Sequence, residues 1–385
     1  MNKLLFLSNS SKPTEEQYTY VGEEKLTNFS IPIVTVCEEI GIHVTIGLNR
    51  KYAPQNTCEY PVDFYNAEIY RNPFNVKEVW RAFKNACNEL KKGDYVGIHC
   101  NTPIGGLVGR LAGKRCGIPK VIYTAHGFHF YKGAPLLNWL LYYPVEKWLA
   151  RYTDALITIN REDYDLAKRK MKLRNGGKVY YVPGVGVDVH KFGKATIDKA
   201  TKRRELGIPE DAVLLISVGD LNNNKNHETI IRAVADMNVY YIIAGKGELH
   251  KHLENLIDTL KLNDRVKLLG FRSDVKELYE ASDIFVFPSF REGLSISLME
   301  AMASGLPCVV SRIRGNTDLL ENTEGGFLCD PHDASDFAEK IGILADEAQL
   351  RKKMGSANRM SIQKFSTETV INKIRNIYAA EMSDD

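Results

Sequence analysis

Ile284-Phe-Val-Phe-Pro-Ser-Phe-Arg-Glu-Gly-Leu-Ser-Ile-Ser-Leu-Met-Glu-Ala-Met-Ala-Ser-Gly-Leu-Pro-Cys-Val-Val310 reads as strand, turn, helix and strand. Ile284 to Phe287 form an unbroken apolar run, Pro288 and Ser289 turn the chain, a helix is expected over about 295–303, and Cys308 to Val310 is apolar again. Two buried strands joined by a helix imply a parallel sheet. Outward from this unit the pattern repeats. In the second half, strands are expected at 213–218, 240–244 and 266–269, with helices near 227–236, 248–260, 274–279 and 333–345. In the first half, strands are expected at 4–7, 44–46, 95–99, 121–124, 155–159 and 179–182. Helices there fall at about 28–40, 76–91, 104–116, 136–151 and 161–172. Strand–helix alternation run twice predicts an α/β chain of two facing Rossmann-like domains, 1–188 and 189–365, bordering a shared cleft. Further helices are expected at about 348–361 and 367–380.

The size agrees with that division, since 385 residues exceed one ordinary core. Hydrophobic residues make up 44% and charged residues 26%, as in a globular protein. The opening Met-Asn-Lys-Leu-Leu-Phe-Leu has an apolar core too short for a secretion signal and reads as a first buried strand. No apolar run approaches the ~18–20 residues of a membrane span. The seven cysteines are scattered, without C-x-x-C spacing; they fit reduced thiols in the cytoplasm and argue against a zinc site. Net charge is +3, with the basic excess concentrated in 101–188, where 14 Lys and Arg face 6 Asp and Glu. Such an excess points to an anionic partner, a membrane surface or a phosphorylated acceptor; no nucleic-acid recognition motif accompanies it.

The expected helix start near Ser295 would leave the amides of Gly293, Leu294, Ser295 and Ile296 as unsatisfied donors, which suits an anion. Glu292 stands at the mouth of that site and Glu300 lies inside the helix, so that one carboxylate can meet a sugar and the other a ribose across a phosphate. A surface helix with two solvated glutamates is the alternative. In Ser217-Val-Gly-Asp-Leu-Asn-Asn-Asn-Lys225, Gly219 permits close backbone approach and Lys225 can reach a phosphate; a solvated loop lysine is the plain reading. In the first half, Asn101, Thr102 and the amides of 104–106 close a strand and open a helix at an acceptor side. Leu136 to Arg151 mixes aromatics with few charges, and the basic stretch 168–174 follows. That pairing fits either a helix resting on an anionic bilayer or one packed into the core.

The E-x7-E pair after F-P-S, followed by E-A-M-A-S-G-x-P, resembles the nucleotide-sugar site of glycosyltransferase family 4, a retaining family of GT-B fold. The likeness is continuous from about 95 to 330 and weak over 1–94. The loop ending at Lys225 is similar to that family's G-R-x-x-x-x-K segment, although Asp220 replaces the arginine. Ala244-Gly-Lys-Gly-Glu248 is similar to its G-x-G turn. Leu269-Gly-Phe-Arg-Ser-Asp274 resembles the segment where the family reads the nucleobase through the backbone of the residue after Gly270, which implicates Phe271 and Arg272 and implies uracil. Tyr123-Thr-Ala-His-Gly127 matches T-x-H-G, whose histidine, here His126, contacts the donor sugar. Ser311 to Leu328 resembles the capsular and exopolysaccharide branch, its glycines serving tight turns. Val182 to Phe192 is similar to the interdomain hinge, with Asp188 and Phe192 structural, and residues 366–385 match a final helix that packs back on the first domain. The polar segment 9–26 replaces a glycine-rich loop and reads either as a lid or as disorder.

The resemblance implies transfer of a hexose or N-acetylhexosamine from a UDP-sugar to a lipid-linked or oligosaccharide acceptor in bacterial surface polysaccharide synthesis. Glu292, His126 and Lys225 are implied as catalytic, with Gly219, Phe271, Arg272, residues 293–296 and Glu300 as donor-binding. No cofactor and no essential divalent metal are implied. A cytoplasmic protein, peripheral on the inner face of the membrane, would meet such an acceptor. A catalytically silent subunit of the same fold, a UDP-sugar epimerase and a phosphorylase are the rivals, Asp220 being the feature that favours the first.

Overall fold

The computed structural model describes residues 2–320 and 324–382; Glu321, Asn322 and Thr323 of the 311–328 stretch lie outside them. The chain divides into two compact units, one made of 1–185 with 368–385 and the other of 186–367.

The first unit opens with β1 (Lys3–Leu7), α1 (Glu15–Thr19), α2 (Ile31–Glu39), β2 (His43–Leu48) and β3 (Val62–Asn66). It continues through α3 (Val76–Leu90), β4 (Tyr95–Asn101), α4 (Pro103–Cys116), β5 (Lys120–Ala125) and α5 (Leu136–Leu149). Strand β6 (Ala155–Thr158), α6 (Arg161–Lys170) and β7 (Lys178–Tyr181) complete its run. The second unit holds α7 (Val189–Gly193), α8 (Lys199–Glu205), β8 (Leu214–Val218), α9 (His227–Ala233), β9 (Tyr240–Ala244) and α10 (His250–Thr259). Then come β10 (Val266–Gly270), α11 (Val275–Ala281), β11 (Ile284–Phe287), α12 (Ile296–Ser304), β12 (Cys308–Ser311) and α13 (Asn316–Leu319). Strand β13 (Gly326–Cys329), α14 (Ala334–Asp346), α15 (Ala348–Ser361) and α16 (Thr367–Met382) end the chain.

Every strand pair is parallel. The first sheet runs β3-β2-β1-β4-β5-β6-β7 and the second β10-β9-β8-β11-β12-β13. Parallel strands covered on both faces need continuous apolar runs, which is why all four residues of β11 and of β12 are buried. Both sheets wind outward from their first strand and then jump back past it. The order therefore reverses between β1 and β4 in one sheet and between β8 and β11 in the other. Ligands of open α/β sheets bind beyond the strand C-termini at such reversals. Those ends carry Asn101 in the first unit, and Lys225 and Glu292 in the second.

Local chemistry sets the helix ends. Ser295 caps α12 by accepting from the Leu298 amide, and Gly305 ends it in the left-handed conformation at φ 80°. Helix α16 lays Val370, Ile374, Ile377 and Tyr378 into the core beside β1, β2 and α2.

Helices α7, α8 and α13 have no counterpart in the sequence reading, and three further regions differ from it. Strand β3 carries Asp63 and Asn66 within a short run, so its apolar signal is weak. Gly326, expected in a tight turn, pairs with Cys308 at the sheet edge, where a Cβ would collide with the Cys308 carbonyl. Segment 9–26 follows a defined path. Thr14 and Gln17 form a capping box on α1, the Tyr18 hydroxyl donates to Glu68 at 3.0 Å, and the Asn9 amide donates to Thr102 Oγ1 at 3.0 Å.

Candidate active site

In the second unit, the loops after β8 and β11 meet at the sheet reversal. Lys225 Nζ donates to Glu292 Oε1 at 2.8 Å and lies 4.6 Å from the centre of the Phe287 ring. Two asparagines that the sequence reading left unused hold these loops together. Asn224 Nδ2 donates to the Arg291 carbonyl at 2.9 Å, while Asn226 Nδ2 donates to Pro288 at 3.1 Å and Pro331 at 2.9 Å. Lys225 also runs over Gly219, where a Cβ would lie 3.2 Å from its Cε. The G-x-G segment has a packing role, because a Cβ at Gly245 or Gly247 would strike the carbonyl of Gly219 or Leu221.

Between Glu292 and α12, the amides of Gly293, Leu294, Ser295 and Ile296 carry no hydrogen bond to another group among the described residues. The turn at Gly315, at φ 81°, passes so close to this stretch that a Cβ there would collide with the Gly293 carbonyl. One lysine, one carboxylate and a run of free amides therefore stand at one strand end. That set suits a group carrying phosphate charge beside hydroxyls.

Glu300 sits one helix face inward and is largely buried. Burial, opposed by the Tyr279 hydroxyl and by the Lys191 charge, pushes its carboxyl up to about 7. Tyr279 donates to Glu300 Oε2 at 3.2 Å. Of the two residues expected beside the base, Phe271 is 74% exposed, with Lys246 Nζ 5.6 Å from its ring centre. The Arg272 guanidinium is occupied: it donates to Asp274 at 2.7 Å and to Glu205 at 3.5 Å. Its side chain is part of the scaffold around α8, and only its backbone is left for a base. Asp220 is exposed to solvent, which lets water carry its charge.

In the first unit, Asn101 and His126 share a cavity of about 30 Å³ with Phe29, His99 and Thr124. His126 is partly buried as a residue, and both its ring nitrogens are buried without a protein partner, as is Asn101 Oδ1. Burial pushes the His126 imidazole down to about 4, so it is neutral at pH 7. Beneath it, the His99 ring nitrogens pair with Tyr378 Oη at 2.7 Å and Thr124 Oγ1 at 2.8 Å. Thr102 has a different place: its hydroxyl is engaged by the Asn9 amide and the Asn101 carbonyl, in a backbone with φ 65°. The Gly106 amide is likewise taken, by the Thr102 carbonyl at 2.8 Å. Among the described residues, no group of three or more His, Cys, Asp or Glu side chains is placed to hold a metal ion.

Comparison with known proteins bears on the same residues. Residues 37–183 match the family model "glycosyl transferase 4-like domain", and residues 198–360 match "glycosyl transferases group 1". The chain is 35% identical over 367 residues to the putative glycosyltransferase EpsD of Bacillus subtilis, covering 93% of this chain and 94% of that protein. It is 29% identical over 323 residues to an Escherichia coli UDP-Gal:alpha-D-GlcNAc-diphosphoundecaprenol alpha-1,3-galactosyltransferase, covering 82% and 83%. In fold it is similar to Anabaena HepE, solved with UDP and glucose, at a TM-score of 0.74 and 21% identity over 98% of this chain and 99% of that one. Sucrose-phosphate synthase of Thermosynechococcus elongatus gives 0.79 at 19% identity, with 98% of each chain covered.

Proposed function

Because the chain belongs to glycosyltransferase family 4, a retaining family of GT-B fold, we propose that it moves a hexose or N-acetylhexosamine from a UDP-sugar to a lipid-linked saccharide acceptor. The setting is synthesis of an exopolysaccharide, in the cytoplasm at the inner face of a membrane. The observation that carries this reading is the Lys225–Glu292 pair beside the unbonded amides of 293–296. The galactosyltransferase relative, whose name pairs a UDP-sugar with a diphosphoundecaprenol acceptor, supports the two substrate classes. An exposed Asp220 is compatible with a carboxylate kept in water, and relatives named as glycosyltransferases speak against a silent subunit and an epimerase.

The chemistry follows from charge. As the bond from the anomeric carbon to the phosphate oxygen breaks, its electron pair collects on the diphosphate. The 293–296 amides stabilise that growing charge from fixed positions, and Lys225 joins them once it has turned to the phosphate. The acceptor hydroxyl attacks on the face the phosphate leaves and passes its proton to that phosphate, so no protein nucleophile is formed and configuration is retained. Lys225 must exchange Glu292 for phosphate, which frees the Glu292 carboxylate to accept from sugar hydroxyls. Glu300 accepts from ribose hydroxyls, and neutral His126 hydrogen-bonds the sugar. With phosphate charge met by lysine and amides, a divalent metal is not essential, and turnover should survive a chelator.

A thermal-shift panel of UDP, GDP, ADP and several UDP-sugars, with and without magnesium, tests the reading. Stabilisation by UDP and one or two UDP-sugars is expected. A flat panel would remove the donor assignment.

A further inference from the structure

Helix α5 has two apolar faces, and only one is covered. Trp139, Tyr142 and Tyr143 turn inward and pack on the first unit's core, with Trp139 and Tyr143 lying 5.5 and 5.3 Å from the Phe130 ring centre. The opposite face presents Leu136, Leu137, Leu140, Leu141, Val145 and Trp148, each 44–74% exposed. Their i, i+4 spacing makes one continuous stripe along the helix. Lys147 is the charged residue among the exposed positions of α5. The helix's carboxylate, Glu146, is withdrawn to the buried Arg110, whose guanidinium it meets at 2.8 and 3.2 Å. A stripe this apolar on one helix is a binding surface, since isolated exposed leucines are normal but a contiguous row is not.

The surroundings identify what covers it. Lys132 stands before the helix and Arg151 after it, with Lys114 and Arg115 exposed at the end of neighbouring α4. At that end Trp148 meets Tyr152 edge-on, and Lys114 lies 4.1 Å from the Tyr152 ring centre. Leucines flanked by aromatic and cationic side chains match the depth profile of a bilayer interface, apolar inward and positive at the headgroups. Two copies of the stripe packed on each other would gather these cations along one border with no exposed carboxylate from α5 to meet them. Of the basic stretch 168–174 that the sequence pairs with this helix, Arg174 is tied to Asp154 and to the carbonyls of Ile118 and Pro119, while Lys168, Arg169, Lys170 and Lys172 are exposed.

We propose that the outward face of α5 is the surface by which this chain lies on an anionic lipid bilayer, a proposal that names the membrane contact of the lipid-linked-acceptor reading and rests on it. The test is sedimentation of the full chain with vesicles of phosphatidylglycerol mixed with phosphatidylcholine, and with phosphatidylcholine alone. A Leu137→Gln, Leu141→Gln, Trp148→Gln triple variant runs beside it. Binding to the anionic vesicles is expected, about ten-fold or more weaker in the variant and weakened by salt. Equal melting temperature and equal stabilisation by UDP would show the variant to be folded. Wild-type protein left in the supernatant, or a variant that sediments equally, would overturn the proposal. So would a vesicle-free dimer, seen by analytical ultracentrifugation and abolished by the same substitutions. Vesicle binding alongside a flat UDP panel would uphold the docking face while removing the donor reading.

Discussion

The strand-to-helix junctions that follow β11 and β4 sit at equivalent places in their sheets and are built on opposite principles. After β11 the chain spends residues 288–295 on a loop whose amides from Gly293 onward carry no hydrogen bond among the described residues and whose glutamate is paired with a lysine from another loop. After β4 it turns within a single residue, Thr102, whose hydroxyl and carbonyl are both engaged, and Pro103 starts the helix. The groups left open nearby, on His126 and Asn101, are neutral and buried. One junction offers fixed positive potential to an anion. The other offers hydrogen bonds in a small buried pocket, where a charge would be costly and a sugar hydroxyl is not. The same topology thus serves two chemistries, and loop length with charge decides which.

The comparison breaks most visibly at Glu292 and Lys225. Glu292→Gln should lower turnover by about 10²-fold or more while leaving UDP binding intact, because the lysine is released from its partner. Lys225→Ala should weaken UDP by roughly 10–100-fold, the worth of a charge-assisted bond to phosphate. Calorimetric titration with UDP and initial-rate measurements separate the two; weaker UDP binding in Glu292→Gln would unseat Lys225 as the phosphate ligand.

A smaller effect sharpens the second unit's side. The Glu300 carboxyl is raised to about 7, so the free protein must release a proton before this group can meet ribose as a carboxylate. UDP affinity should fall by about ten-fold from pH 8 to pH 6, and Glu300→Gln should flatten that slope. Stability moves oppositely. A raised carboxyl favours the folded state below its ordinary value, and that contribution is lost as pH rises through about 7. The melting temperature of Glu300→Gln should decline less over that window.

The smallest effect belongs to the first unit. His126→Ala should cost roughly ten-fold in kcat/KM, the loss of one buried hydrogen bond. Because burial holds its imidazole near 4, the wild-type rate profile should show no His126 inflection between pH 5.5 and 8, taking ~1.5 units above the titration as clear of it. An inflection near 6.5 that vanishes in the variant would mean a wetter, charged site and would erase the contrast between the junctions.

Much of this was legible in the chain. Apolar strands of four or five residues alternating with helical patterns specify parallel sheets, because only strands covered on both faces can afford such runs. The motif at 284–310 further located the donor-side loop. Strand β3 escaped because Asp63 and Asn66 interrupt its pattern, and β13 because its leading glycines read as turns. The partners of the Arg272 side chain, Asp274 and Glu205, were not legible in the sequence.

What the sequence determined by itself is therefore the alternation of most strands and helices, the family, and the loops on which charge is carried, since these depend on local pattern. Tertiary structure alone decided the partners. Lys225 and Glu292 meet across 67 residues, and Tyr279 reaches Glu300 across 21. Burial, which sets the charge of His126 and Glu300, belongs to no single segment. The same holds for α5: both its faces are apolar as sequence, and only packing determines which is buried and which is left for another surface.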